Sequence, residues 1–418
     1  VDATLQAAFL FAGLTGVAAS VYLLVLSLAS LFYRNPPAPG EEPTSNLIVL
    51  IPAHNESAVV ARCARSLLNQ TYPRHLYEMV VIADNCTDDT AAIAVRAGAT
   101  VLNRNEPDAR GKGQALHWAL NQLFEPERDA EPERDAEPEQ DADAVVVVDA
   151  DSVADRDFLT ILARPLRDGA LAVQGESLLE GNDAPGSALR VAAFLLVNRV
   201  RPTGRAALGL PATHLAGNGM LLTRELIASR PWTAFSSTED LEYSISLHKA
   251  AVRIAFASGA VLRSPAAPNA EAAAQQELRW EGGKAHLART QLASLVVAAI
   301  RQRRPLLLGM AFELAMPPLG FLVAGLLSGA MIGVGLVLLG ELPAWTLSPW
   351  VLALLMIVSA VMLGLKAGHA TRSDYLALRR APLFVLTKLA RTRRVMSFRG
   401  DTWIRTERGA TSEIQGDP

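Results

Sequence analysis

The chain has 418 residues, 50% of them hydrophobic and 19% charged, with a formal net charge of −3 and a mean hydropathy of +0.21. Soluble domains carry roughly 25% charged residues, so this composition excludes a wholly soluble protein, a mostly disordered chain and, with 29 Gly and 24 Pro, a collagen. The near-neutral balance argues against a nucleic-acid partner, which would call for a basic surface.

The missing charge is concentrated in three places. No charged residue lies between Asp2 and Arg34, between Glu313 and Glu341, or between Glu341 and Lys366. Each gap exceeds the ~20 apolar residues that carry a helix across a bilayer. The first, Ala7–Phe32, lacks a cationic n-region and is long for a signal peptide, so it is expected to remain as an anchor. Arg34 marks its inner end, and a Pro/Gly-rich connector follows from Asn35 to Pro43.

Residues 46–300 read as an α/β domain. Asn46–Ile51, Glu78–Ile82 and Ala144–Val148 are short β-branched runs, expected as buried strands of a parallel sheet. Helical patterns at Ser57–Leu68, Asp88–Arg96 and Gly113–Phe124 separate them, which is the alternation of βαβ units. Glu125–Ala142 interrupts this pattern with three copies of a six-residue unit, nine acids against two arginines. Its proline spacing blocks a continuous helix, and it reads as a solvated insertion. Cys63 and Cys86 cannot make a disulfide framework and are expected as reduced thiols in a cytosolic domain.

Past residue 300, Ala315–Gly340 and Trp350–Leu365 are expected to cross once each. Pro317-Pro318 would separate a preceding interfacial helix from the first of them. From Lys366 to Arg408, 11 Lys and Arg face 3 acids. A tail that basic stays in the cytoplasm, so the middle domain and the tail are expected on that side. The resulting division is an anchor at 1–34, the α/β domain at 46–300, two spans within 305–366 and a basic tail at 367–418. Ala192–Leu210 and Tyr375–Val395 mix apolar residues with arginines, as interfacial amphipathic helices do.

In open α/β sheets ligands bind beyond the carboxyl ends of the strands. Here the three strands run into Pro52-Ala53-His54-Asn55-Glu56, into Asp84-Asn85-Cys86-Thr87-Asp88-Asp89 and into Asp149-Ala150-Asp151-Ser152. Together they would line one crevice with carboxylates. Alternation in an extended segment puts Asp149 and Asp151 on one side, where two hard oxygen ligands suit Mg²⁺ or Mn²⁺ shared with substrate phosphates. Arg110-Gly111-Lys112-Gly113 opens a helix with a cation and with glycines that let backbone N–H groups approach a diphosphate. Ser237-Thr238-Glu239-Asp240 reads either as an N-cap with first-turn acids or as a site. In Gln276-Glu277-Leu278-Arg279-Trp280, Arg279 suits phosphate, and Trp280 suits a sugar face or the core.

The order of these segments resembles the membrane-bound family-2 glycosyltransferases, the group of cellulose, hyaluronan and poly-N-acetylglucosamine synthases and ceramide glucosyltransferase. The resemblance covers residues 46–300, with a tail feature at 401–408. It implies a GT-A type, Rossmann-like domain joined to transmembrane and interfacial helices. It also implies a UDP-sugar donor and inversion at the anomeric carbon. By the same resemblance Pro52, Glu56 and Asp84 sit at the donor, Lys112 reaches its diphosphate, Asp149 contacts the nucleotide and Asp151 the metal. Asp240 would be the general base. Gln276, Arg279 and Trp280 would line the diphosphate and acceptor end, with Glu239, Gly217, Asn218 and Gly219 on the acceptor side. Trp403, Arg405 and Thr406 resemble a tail motif of these synthases, while His54 stands where the family commonly has tyrosine.

The expectation is an inverting, metal-dependent transferase of the inner (plasma) membrane, multi-pass, with its catalytic domain in the cytoplasm. Its acceptor would be lipid-linked or a saccharide. Three spans make a poor conduit for a polymer, so one or a few sugars are expected per acceptor. A processive synthase relying on an export partner or an oligomer is the alternative. A non-catalytic nucleotide-sugar sensor is disfavoured by an intact Asp240, and a transporter by spans whose only charge is Glu313 near one end.

Overall fold

The computed structural model describes residues 2–34, 42–124, 142–184, 186–384, 395 and 397–398. The repeats at 125–141, residues 385–394 of the second arginine-mixed stretch, and Trp403, Arg405 and Thr406 lie outside the described residues. The chain separates into two compact units, one of residues 1–34, 185–211 and 285–398, the other of 35–184, 212–284 and 399–418.

The second unit is built on an eight-stranded sheet. Its strands are β1 (Leu47–Ala53), β2 (Tyr77–Asp84), β3 (Thr100–Arg104), β4 (Ala144–Val147), β5 (Val153–Ala154), β6 (Ala172–Glu180), β7 (Met220–Thr223) and β8 (Ile254–Pro265), in the order β3-β2-β1-β4-β7-β6-β8-β5. β3, β2, β1 and β4 are parallel, as the β-branched runs predict. β7 enters antiparallel between β4 and β6, so the sheet is mixed.

Alternation along the strands explains the double-sided core. Val49, Ile51, Met79, Val81, Val146 and Val148 face one side, against Val60, Cys63, Leu67, Phe158 and Leu162. Ile48, Leu50, Val80, Ile82, Val145 and Val147 face the other, against Leu116, Leu120, Leu226, Trp232, Tyr243 and Leu247. With both faces covered, β1 and β4 carry no polar side chain within the sheet. Cys63 is buried there and Cys86 half-buried, both as free thiols.

The first unit contains three helices long and apolar enough to cross a bilayer, at Ala3–Phe32, Leu319–Leu338 and Ala344–Ala367. Phe11, Met331, Leu338 and Leu355 are exposed on them, as suits a lipid-facing surface. A short helix, Pro305–Ala315, ends before Pro317-Pro318. The arginine-mixed stretch after Ala192 forms the helices Ser187–Leu195 and Arg201–Ala207 around a π turn at Leu196–Val200. One of its arginines departs from an interfacial reading: Arg205 is only 4% exposed. It donates to the Pro211 carbonyl at 2.8 Å and to the Tyr22 hydroxyl at 3.0 Å. Tyr22 donates in turn to Glu313 at 2.6 Å, and Arg201 lies 3.8 Å from the same carboxylate. Glu313 belongs to the short helix, not to a span.

Gly113 sets how closely the helix Lys112–Phe124 seats. A Cβ there would collide with the Ala234 carbonyl and lie 3.3 Å from the Glu239 Cβ. Gly113→Ala is expected to destabilise by about 1–3 kcal/mol through overpacking, seen as a lowered thermal unfolding midpoint of the detergent-solubilised protein. An unchanged midpoint would contradict the tight seating.

Candidate active site

Register places three strand ends side by side. Pro52 pairs with Ile82 and Ala53 with Ala83, while Leu50 pairs with Val147. β2 and β3 lie on one side of β1 and β4 on the other, a strand-order reversal that opens a crevice beyond the carboxyl ends. The turns there are left-handed, with φ of 54° at Asn55 and 50° at Asn85, a conformation asparagine tolerates. Asn55 locks the two turns together: its Oδ1 accepts from the Thr87 amide at 2.7 Å. His54 Nδ1 donates to the Asp84 carbonyl at 2.7 Å.

Asp84 is buried, and its Oδ1 accepts from Arg104 Nη1 at 2.6 Å and from Asn85 Nδ2 at 2.8 Å. Arg104, 2% exposed, also donates to Glu106 at 3.0 Å and to the Ala109 carbonyl at 2.8 Å. Asp84 is thereby fixed through one oxygen. Pro52 and Glu56 flank the same end, and the Glu56 amide donates to Thr90 Oγ1 at 2.7 Å. Asp88, accepting from Thr90 and Ser57, is held down to about 2: these hydrogen bonds outweigh its partial burial.

The centre of the crevice is Lys112. Its ammonium lies 2.5 Å from Asp149 Oδ1 and 2.6 Å from the Gly217 carbonyl oxygen. Gly217 has φ +69°, and a Cβ on it would lie 3.1 Å from Asp240 Oδ2 and 3.5 Å from Lys112 Nζ, so only glycine fits. Burial works against the Lys112 charge, but the fields of Asp149, Glu239 and Asp240 outweigh it and hold its pKa above the ordinary value.

Glu239 and Asp240 open the helix Glu239–Lys249. The loop before them is pinned by Trp232, stacked 4.5 Å from Tyr243 and donating to the Ala234 carbonyl at 3.0 Å. Burial raises the Glu239 carboxyl, and the neighbouring Asp240 charge adds to it. Burial also raises Asp240; the Leu241 amide, Lys112 and Arg279 oppose it, while Asp149 reinforces it. A carboxylate held up in this way is a better proton acceptor at neutral pH. Thr238 occupies the N-cap position, yet its side chain makes no capping bond. Its hydroxyl lies against Gly283, the site of whose missing Cβ is 2.7 Å from Thr238 Oγ1 and 3.1 Å from Ser237 Oγ.

Gln276, Arg279 and Trp280 are half-buried on the helix Ala270–Arg301. Arg279 Nε and the hydroxyls of Ser236, Ser237 and Thr238 are buried without a hydrogen-bond partner among the described residues. Such orphans are costly unless a ligand or water satisfies them.

Asn218 departs from an acceptor-side role. It is 3% exposed. Its Oδ1 accepts from the Asp149 amide at 3.0 Å, and its Nδ2 donates to Ser152 Oγ at 2.9 Å and to Ser177 and Ser264 at 3.3 Å each. The side chain aims Asp149 and spends its amide donors on serines. Gly219, with φ +70°, continues the same turn, and its amide donates to the Val147 carbonyl at 2.9 Å. Sequence reasoning did not reach Arg104, Ser177, Ser264 or Ser236; it reached Ser152 at a strand end, and Ser237 and Thr238 as an N-cap or a site.

For a divalent ion, the fit rests on Asp149 and Asp151. Among the described residues no group of three or more His, Cys, Asp or Glu could hold a metal ion, and one Asp149 oxygen already faces Lys112. Two hard oxygens fit an ion of the Mg²⁺ or Mn²⁺ type that draws its other ligands from phosphates and water.

Comparison with known proteins follows the same lines. The model of the family described as glycosyltransferase like family 2 matches residues 43–283, more than half of the chain. A beta-monoglucosyldiacylglycerol synthase of Nostoc sp. is 38% identical over 77 residues, which is 17% of this chain and 16% of that protein. The low-salt glycan biosynthesis hexosyltransferase Agl6 of Haloferax volcanii is 35% identical over 77 residues, 18% of each. The chain thus covers less than a fifth of the length of these curated relatives. In structure, the mannosyltransferase PcManGT from Pyrobaculum calidifontis, solved in complex with GDP-Man and Mn²⁺, superposes with a TM-score of 0.53 at 18% identity, over 94% of this chain and 95% of that one. The α/β unit has the GT-A type of fold.

The raised Glu239 carboxyl fixes a sign. Its folded pKa exceeds its unfolded one, so the folded state binds the extra proton, and stability falls as pH rises above the ordinary carboxylate value of ~4.3. Glu239→Gln is therefore expected to raise the thermal midpoint relative to wild type at neutral pH, the difference closing near pH ~4. A difference independent of pH would contradict the assignment.

Proposed function

The chain belongs to glycosyltransferase family 2, and from that premise we propose that it moves a hexose from a UDP-sugar to a lipid-linked or saccharide acceptor, with inversion, at the cytoplasmic face of a membrane. The observation that carries this reading is the Lys112 ammonium, held between Asp149 and the Gly217 carbonyl with the Asp240 carboxylate beside it.

The geometry supports a single displacement. The acceptor hydroxyl oxygen attacks the anomeric carbon as the bond from that carbon to the β-phosphate oxygen breaks. The leaving diphosphate keeps the electron pair. The acceptor proton passes to Asp240, whose burial raises its affinity for it. Lys112 and Arg279 supply positive charge where the leaving diphosphate develops negative charge, and Arg279 Nε with Ser237 and Thr238 offers the diphosphate unpartnered donors. The second oxygen of Asp84 and the strand end at Pro52 and Glu56 suit the nucleoside. Gln276 and Trp280 stand on the acceptor side. A Mg²⁺ or Mn²⁺ ion on Asp149 and Asp151 would neutralise the leaving group further. The Nostoc relative, a beta-monoglucosyldiacylglycerol synthase, and three helices among the described residues that are long and apolar enough to cross a bilayer favour a lipid acceptor. A partnered, processive synthase is the second reading.

The test is a panel of UDP- and GDP-sugars with the membrane-purified protein, scored by nucleotide release and product size, with and without chelator. Release with a UDP-hexose, lost in chelator, and a short glycolipid product are expected. A long polymer made without a partner would overturn the single-addition reading, and turnover unaffected by chelator the metal. Asp240→Asn is expected to reduce transfer by at least about a thousandfold while nucleotide affinity, read by calorimetry, stays within about threefold. A parallel loss of both would move the base elsewhere.

A further inference from the structure

One buried side chain reaches the Lys112 site through a loop. Gln174 on β6 is 4% exposed. Its Oε1 accepts from the Ala216 amide at 2.8 Å. Its Nε2 donates to the carbonyls of Asn218 at 2.9 Å, Gly175 at 3.1 Å and Gly219 at 3.2 Å. A single carboxamide therefore grips both ends of the segment Ala216–Gly219.

That segment has little conformational preference of its own. Gly217 and Gly219 both take φ near +70°, and glycine populates many other conformations as readily. Between the two points held by Gln174 lies the Gly217 carbonyl, which accepts from Lys112. The geometry of β6 lets the amide reach in. The sheet slips register between Gln174 and Glu176. Gly175, at the slip, donates to the Gly219 carbonyl at 2.8 Å, and a Cβ on it would lie 2.7 Å from the Ala260 carbonyl oxygen.

We propose that Gln174 is a positioning residue for the transfer reaction: its carboxamide holds the Gly217 carbonyl on the Lys112 ammonium, and so fixes where that cation stands among Asp149, Glu239 and Asp240. The catalytic part of this inference rests on the reading of Asp240 as base. The task needs a donor and an acceptor on one planar group. Leucine at 174 leaves the Ala216 amide without its partner. Glutamate keeps that partner but, when ionised, turns an oxygen toward three carbonyls. Because the Lys112 field lowers both Glu239 and Asp240, a released Lys112 lets their pKa values rise.

The experiment compares the full-length detergent-solubilised wild type with Gln174→Leu and Gln174→Glu. The first readout needs no activity: acetic anhydride labelling of Lys112, followed by mass spectrometry, with Lys249 and Lys366 as internal references. Lys112 of the leucine variant is expected to label severalfold faster, the reference lysines at the wild-type rate. Equal labelling of Lys112 overturns the proposal, whatever the protein's activity. The second readout is the pH profile of kcat with the nucleotide sugar that the wild type turns over. Gln174→Leu is expected to lose about tenfold to a hundredfold in kcat, with the acid limb of the profile moved to higher pH. A loss of stability with an unmoved acid limb would make Gln174 merely structural and overturn its catalytic part. If the leucine variant does not fold, the glutamate variant decides both readouts. Its activity relative to wild type should be better at low pH, where a protonated carboxyl can again donate, and a constant ratio across pH overturns the inference. Should the wild type turn over no nucleotide sugar, the proposed function fails and labelling alone judges the Gln174 contact.

Discussion

A single ammonium organises the crevice. Lys112 sits where Asp149, Glu239 and Asp240 converge, and without a cation there three carboxylates in a partly buried space would repel one another. Like charges in low dielectric raise one another's pKa values or force the structure apart. The lysine makes their proximity tolerable, and proximity is what a transfer site needs. The first residue of one helix, the end of β4, a glycine carbonyl and the start of another helix all meet on that group. Much of the surrounding architecture serves to bring these four elements within reach. The glycine at 113 permits the helix to come close, the glycine at 217 permits the carbonyl to turn inward, and the Trp232–Tyr243 stack stiffens the approach to the acidic pair.

Raised carboxyls beside a held cation describe a division of labour. Asp149 is aimed by Asn218 and paired with Lys112. Glu239 and Asp240 remain poorly solvated and retain proton affinity. Environments that push titratable groups apart mark an acid–base site. The orphaned donors around Arg279 add a second sign of an incomplete site, because buried hydroxyls without partners are tolerated where something else completes them.

The sequence announced the parallel half of the sheet and little of the rest. Runs such as AVVVV and NLIVLI are buried on both faces, and a strand without polar positions reads plainly. β6 and β8 do not read that way. Gln174, Gly175 and Glu176 break one, Ser258 and Gly259 the other, and β3 is a short edge. The residues at the ends of the legible strands could be picked out, and Lys112, Asp149 and Asp240 do come together. Arg104 stayed hidden because its strand did, and Gln174 because a lone amide in an unread strand has no pattern. The neighbours of Asn218 are small, and its own amide points back into serines contributed by three separate segments, contacts that no spacing in the sequence shows. The membrane half was legible by length alone, since apolar runs need no register. What length could not convey was Tyr22.

That tyrosine changes what kind of object the first helix is. A span whose only task is to tether a domain is interchangeable; any comparably greasy segment would serve, and its sequence is free to drift. Here Tyr22 donates to Glu313 and receives from Arg205, so its hydroxyl links two buried charged side chains from other segments. Removing the Tyr22 hydroxyl takes a hydrogen-bond partner from two buried charged groups, at about 1–3 kcal/mol. The helix thus has a packed side as well as an exposed one. Fusion partners, leader exchanges and soluble truncations that discard residues 3–32 would trade away an internal counterpart, and position 22 should resist drift while its apolar neighbours wander.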